Sequence, residues 1–150
     1  MLEWLVQTDG TLVPLILRLA LAVVIFPHGA QKLLGWFGGY GFKGTMGYFT
    51  SSGIPAPLGL LAIIAEFFGS LGVAMGLLTR VAAFGIACVM VVAIFKVHAP
   101  NGFFMNWYGN QKGEGFEYHL LTFGLCLALI IGGAGLWSLD GGLLRSVLSR

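Results

Sequence analysis

The chain has 150 residues, 57% of them hydrophobic and only 9% charged, with a formal net charge of +2 and a mean hydropathy of +0.90. A soluble domain carries roughly one-quarter charged residues, so this composition excludes an ordinary water-soluble globule. The small net charge, scattered basic residues and absence of a P-loop or dinucleotide fingerprint among the glycines argue against nucleic-acid or nucleotide chemistry.

The apolar residues fall into blocks of about 17 to 25, the length a helix needs to cross a hydrocarbon core of about 30 Å. The opening "MLEWLVQTDGT" has two acids and no Lys or Arg. The apolar block after it is longer than a signal-peptide core, so it is expected to stay as a membrane helix. The predicted spans are 12–34, 56–78, 81–97 and 118–137: an all-α integral membrane protein, a four-transmembrane-helix bundle forming one domain over 1–150. Only Thr79 and Arg80 separate the second and third spans, which requires a tight antiparallel hairpin. The other connections, "GWFGGYGFKGTMGYFTSSGIPAP" and "HAPNGFFMNWYGNQKGEGF", are rich in glycine, aromatics and turn formers and are read as loops on the opposite face. Both termini and the short turn then share one side. Arg18, Arg80, Arg145 and Arg150 on that side balance Lys32, Lys43, Lys96 and Lys112 on the other. Counting only charges outside the spans leans toward cytoplasmic termini.

Glu66 lies near the middle of the second span, on a helical face shared with Gly59, Ala62, Gly69, Ser70 and Val73. Small residues let membrane helices approach closely, so this face is expected inside the bundle. By helix rise, Arg18 sits about 9 Å from the terminal side, Glu66 about 16 to 18 Å and His28 about 24 Å. An unpaired carboxylate in hydrocarbon costs several kcal/mol or takes up a proton. Arg18 is therefore the expected partner of Glu66, forming a buried charge pair, with His28 the second choice. The pair has two readings, an ionic lock on helix register and a proton-accepting or ligand-binding carboxylate.

A second polar group gathers at the loop-side helix ends: His28, Gln31 and Lys32 from the first span, Lys96 and His98 from the third, and Glu117, Tyr118 and His119 from the fourth. Snorkelling side chains and an aromatic belt (Trp36, Tyr40, Phe103, Phe104, Trp107, Tyr108) account for them one by one. As a set they outline a candidate ligand or proton-relay pocket beneath the loops. Pro27 removes a helix hydrogen bond just before His28 and can kink the helix there. The histidines lack any local metal-ligand spacing, so no metal or haem is expected. Cys88 and Cys126 lie alone among apolar residues and read as inert packing thiols.

The succession "LRLALAVVIFPHGAQKLLGWFGG", "GTMGYFTSSGIPAP", "AEFFGSLGVAMGLLTR", "FKVHAPNGFF", "GFEYHLL" and "WSLD" resembles the DoxX family of small four-helix bacterial membrane proteins over nearly the whole chain. The resemblance implies a multi-pass protein of the bacterial inner (plasma) membrane. It also implies a redox-associated role in oxidative-stress or sulfur metabolism, since relatives include a thiosulfate:quinone oxidoreductase subunit and membrane partners of soluble redox enzymes. It assigns no catalytic residue.

Two expectations follow. One is an oxidoreductase subunit with no intrinsic cofactor, binding a quinone-like or phenolic molecule and taking electrons from a partner. The other is a non-catalytic scaffold that docks a soluble redox enzyme partner. Proton-coupled transport has little room in four short spans. Gly72 and Gly76 form a G-x-x-x-G pair that serves homo-oligomerisation and internal packing equally well.

Overall fold

The computed structural model describes the backbone of residues 2–8 and 10–148 and the side chains of 3–8 and 10–143. Arg150 and the side chain of Arg145, both used in the charge count, lie outside the described residues. Among the described residues there are seven α-helices and no strand: α1 (Leu2–Val6), α2 (Val13–Leu33), α3 (Gly41–Ser51), α4 (Ala56–Met75), α5 (Thr79–Ala93), α6 (Glu117–Gly132) and α7 (Leu139–Leu148). A π-helical turn, Ile94–His98, and a 3-10 turn, Ala99–Asn101, extend α5. Among the described residues three helices are long and apolar enough to cross a membrane: Val13–Leu33, Ala56–Met75 and Thr79–Asn101.

Four of the helices, α2, α4, α5 and α6, surround one core. The seams α2–α4, α4–α5 and α5–α6 are closely packed, and α6 meets α2 more thinly. Leu21, Ile25, Val73, Ile86, Met90 and Leu129 fill the centre. Of the α4 face predicted to lie inside, Gly59, Glu66, Ser70 and Val73 are buried and Ala62 and Gly69 partly so, and Ile63 joins them. Gly72 and Gly76 are both taken up within the chain. A Cβ on Gly72 would stand 3.1 Å from the Leu77 carbonyl, and one on Gly76 would collide with the Arg18 guanidinium. Gly76 also takes the left-handed conformation, φ 66°. It closes α4 with amide bonds from Leu77 to the Gly72 carbonyl at 2.8 Å and from Gly76 to the Val73 carbonyl at 3.1 Å, the paired pattern that satisfies the last carbonyls of a helix.

Four details differ from the sequence reading. Helices α1 and α7 lie outside the four predicted spans. The first long connection contains α3, which its glycines and aromatics concealed because local propensity there is poor and tertiary packing on α2 and α4 supplies the stability. The fourth predicted span ends at Gly132, because Gly133 (φ 78°), Gly135 (φ 72°) and Trp137 (φ 50°) leave helical space. Arg80, counted as lying outside the spans, is 6% exposed.

Both described chain ends meet the α4–α5 turn. Asp140 on α7 accepts the amides of Leu78 at 2.7 Å and Thr79 at 2.9 Å. Leu78 stands in the left-handed region at the start of α5 and offers no capping oxygen, so a carboxylate distant in sequence takes the cap position. Arg18, fully buried, donates to the carbonyls of Ala74 at 3.4 Å and of Leu136 and Trp137 at 3.1 Å. Arg80 donates to the carbonyls of Ile130, Ile131 and Gln7 and lies 4.5 Å from the ring centre of Trp4. Two arginines and one aspartate thus tie the ends of α4, α5 and α6 to the terminal segments.

Candidate functional site

The loop-side site is built on one close helix crossing. Gly29 of α2 lies against α4 so tightly that a Cβ would stand 2.6 Å from the Phe67 Cα and amide nitrogen and 2.7 Å from the Glu66 carbonyl carbon. Lys32 stands one turn beyond Gly29, on the same face, and its ammonium forms an ion pair with the Glu66 carboxylate. Glu66 is 3% exposed and Lys32 is half-buried. The Phe26 and Phe67 rings, 5.5 Å apart, pack at this level.

This corrects the expected Arg18–Glu66 pair. Gly29 stands level with Glu66, so α4 is displaced along its axis from the position that equal starting depths implied. Arg18, eleven residues before Gly29, is left about 16 Å further down the helix, where backbone carbonyls solvate it. The "HGAQK" segment held the signal that was missed: a glycine permitting backbone contact, followed at i+3 by a lysine.

Four further polar side chains surround the ion pair. His28 is exposed on α2, with its ring 6.2 Å from that of Tyr118, and the charges of Lys32 and Glu66 both act on it. Tyr118 and His119 open α6, with His119 6% exposed. The π-helical turn brings His98 to His119, ring centres 4.0 Å apart. Such turns arise where the ordinary helix ladder is interrupted, and Pro100, two residues on, has no amide to continue it. The Nδ1 of His98 lies 2.9 Å from the Glu114 carbonyl. A carbonyl only accepts, so this nitrogen carries the proton.

Two buried atoms in the cluster lack satisfied hydrogen bonds. His119 Nδ1 has no partner. The Tyr118 hydroxyl has the Thr122 side chain as its polar neighbour and makes no well-formed bond. Buried polar atoms without partners are rare, and each costs about 1–3 kcal/mol.

The remaining candidate residues lie outside this cluster. Gln31 donates to the Phe37 carbonyl at 3.2 Å and supports the first loop. Glu117 accepts the Met105 amide at 2.8 Å and the Trp107 indole N–H at 3.1 Å, pinning the second loop. Lys96 is exposed on the π-helical turn. Among the described residues no three His, Cys, Asp or Glu side chains converge as a metal site. Cys88 and Cys126 are free thiols, Cys88 exposed and Cys126 buried.

A DoxX family model matches residues 13–99, which include the Gly29 crossing, Lys32 and Glu66. The chain belongs to the DoxX family. It is 31% identical over 117 residues to a Bacillus subtilis (strain 168) protein named "Putative oxidoreductase CatD", covering 77% of this chain and 76% of that one. It is 31% identical over 126 residues to an Escherichia coli (strain K12) protein named "Inner membrane protein YqjF", covering 84% of this chain and 88% of that one. No solved structure matches it. Family and helices together make this DoxX chain a multi-pass membrane protein.

Proposed function

We propose that the loop-side cluster is a binding site for a quinone-like or phenolic ring and that this DoxX chain is a redox-associated subunit of an inner membrane. One observation carries the reading. A lysine–glutamate ion pair and a buried imidazole with a free Nδ1 share one polar cluster beneath aromatic loops. Lys32 and His119 would hold the ring oxygens, Glu66 would keep the Lys32 ammonium in place through its ion pair, and His28 would relay protons to them. Electrons come from a partner. The fourth membrane passage is α6, 16 residues long and about 24 Å by helix rise, completed by its flanking segments. Two relatives support the class: one is named an oxidoreductase and the other an inner membrane protein.

The test is titration of the purified protein in nanodiscs with decylubiquinone, followed by quenching of intrinsic tryptophan fluorescence. Saturable quenching that weakens at least about tenfold in Lys32→Met and His119→Phe supports the site. Linear, non-saturating quenching equal in all three proteins overturns it.

A second reading is favoured by the second loop, where Phe104 is 65%, Trp107 79% and Tyr108 91% exposed. These aromatics suit docking of a soluble redox enzyme by a non-catalytic scaffold. Retention of such a partner by the wild type, and its loss in Trp107→Ala/Tyr108→Ala without any quinone binding, would favour the scaffold.

A further inference from the structure

We infer that a tailed quinone reaches this site sideways from the bilayer, between α2 and α6 at the level of His28 and Tyr118; the inference rests on the quinone reading above. On the aqueous side both loops are held tightly to themselves and to the helix ends. Gly39 of the first loop lies against the Gln31 backbone, where a Cβ would stand 2.5 Å from the Gln31 Cα. In the second loop a Cβ on Gly115 would stand 2.6 Å from the carbonyl oxygens of Gly102 and Phe103. Glu117 adds its bonds to Met105 and Trp107.

The α2–α6 seam is the thinnest of the four around the core, and its character changes along its length. Residues 14, 17, 21, 24 and 28 share one face of α2, and 118, 121, 125, 129 and 132 share one face of α6. At the terminal end Pro14 lies 4.0 Å from where a Cβ on Gly132 would stand, and in the middle Leu21 is 1% exposed. Toward the loops Val24 is 42% and Leu121 74% exposed, and His28 is exposed as well. Behind them lie Glu66 and His119, 3% and 6% exposed. An apolar sill facing hydrocarbon therefore stands directly before a buried polar cluster. Pro27 sits at this level inside α2 and offers no amide to the preceding turn, which loosens the helix where the seam must part.

A gate differs from a binding contact in its kinetics, since it changes association and dissociation rates together and leaves the equilibrium constant alone. Stopped-flow tryptophan quenching by decylubiquinone in nanodiscs would compare the wild type with Val24→Phe/Leu121→Phe and with Leu121→Ala. Ile16→Phe, on a bilayer-facing part of α2 away from the seam, is the control. Filling the sill is expected to slow both rates about tenfold and trimming it to quicken both, with Kd within about twofold and the control unchanged. Unchanged rates in the seam variants, with binding intact in the wild type, overturn the lateral route and leave the site standing. A change in Kd at constant association rate also overturns it, by making Val24 and Leu121 contacts. Absence of saturable binding in the wild type overturns site and route together. Should the double variant fail to fold, Leu121→Ala alone decides by the same signs.

Discussion

Gly29 meets the backbone of Phe67 with no room for a side chain: a Cβ there would lie 2.6 Å from the Phe67 Cα. This contact sets the register of α2 against α4 and brings Lys32 to Glu66. Gly29→Ala must push the two helices apart and should cost about 1–3 kcal/mol, the usual range for overpacking. Gly124→Ala is the matched control, because a Cβ there meets nothing within 4 Å and alanine favours a helix. Melting of both variants in the same detergent checks this. An unshifted Gly29→Ala would show that the crossing is looser than described.

The sequence disclosed the parts of this fold that depend on periodicity and left obscure the parts that depend on register. The buried face of α4 follows from small residues at helical spacing, and the hairpin from the shortness of its turn. The partner of Glu66 did not follow, because depth along separate helices assumes that all start from one plane. A single glycine contact shifts that plane by more than the reach of a side chain. Gln31 and Glu117 were legible as polar groups at the right level, but whether such a group faces a pocket or a loop amide is decided by backbone turns that composition does not encode. Asp140 stood in plain view as an acid in an apolar tail, yet its role as the cap of α5 depends on a contact across 61 residues.

That cap is testable on its own. Asp140→Ala removes the acceptors of the Leu78 and Thr79 amides and the carboxylate that acts on both Arg18 and Arg80. The loss of a helix cap costs about 0.5–2 kcal/mol, and losing the charge between two buried arginines adds to it. Hydrogen exchange should quicken first in the peptide containing residues 78–81. Uniform exchange across the whole chain would mean that Asp140 acts without local effect.

The two thiols should separate cleanly. Cys88 is exposed on the outer face of α5, whereas Cys126 is wholly buried in the core. Cys88 faces lipid or detergent, so a membrane-permeant, uncharged maleimide should modify it slowly but ahead of Cys126, which should react only after denaturation. Cys88→Ala should leave the melting temperature alone, while Cys126→Ala opens a small void and should cost about 1 kcal/mol. Modification of both thiols in the folded protein would contradict the burial of Cys126.

The Lys32–Glu66 pair has a mutational signature that separates it from Arg18. Removing one member of a fully buried ion pair strands the other charge and costs about 3–5 kcal/mol, an upper bound here because Lys32 is half-buried, whereas replacing both with apolar or neutral groups of similar volume is often nearly neutral. Lys32→Met and Glu66→Gln should each lower the melting temperature, and the double variant should recover most of the loss. Arg18→Met should also destabilise, because three backbone carbonyls lose their donor. Its effect should simply add to that of Glu66→Gln, since Arg18 and Glu66 share no contact. Two double-mutant cycles, read as melting shifts in one detergent, measure both couplings. Coupling of Glu66 to Arg18 and none to Lys32 would restore the partner that depth along the helices suggests and refute the Gly29 register. Strong coupling to Lys32, with the stable double variant losing decylubiquinone quenching, would mean that the pair serves the ligand as well as the fold.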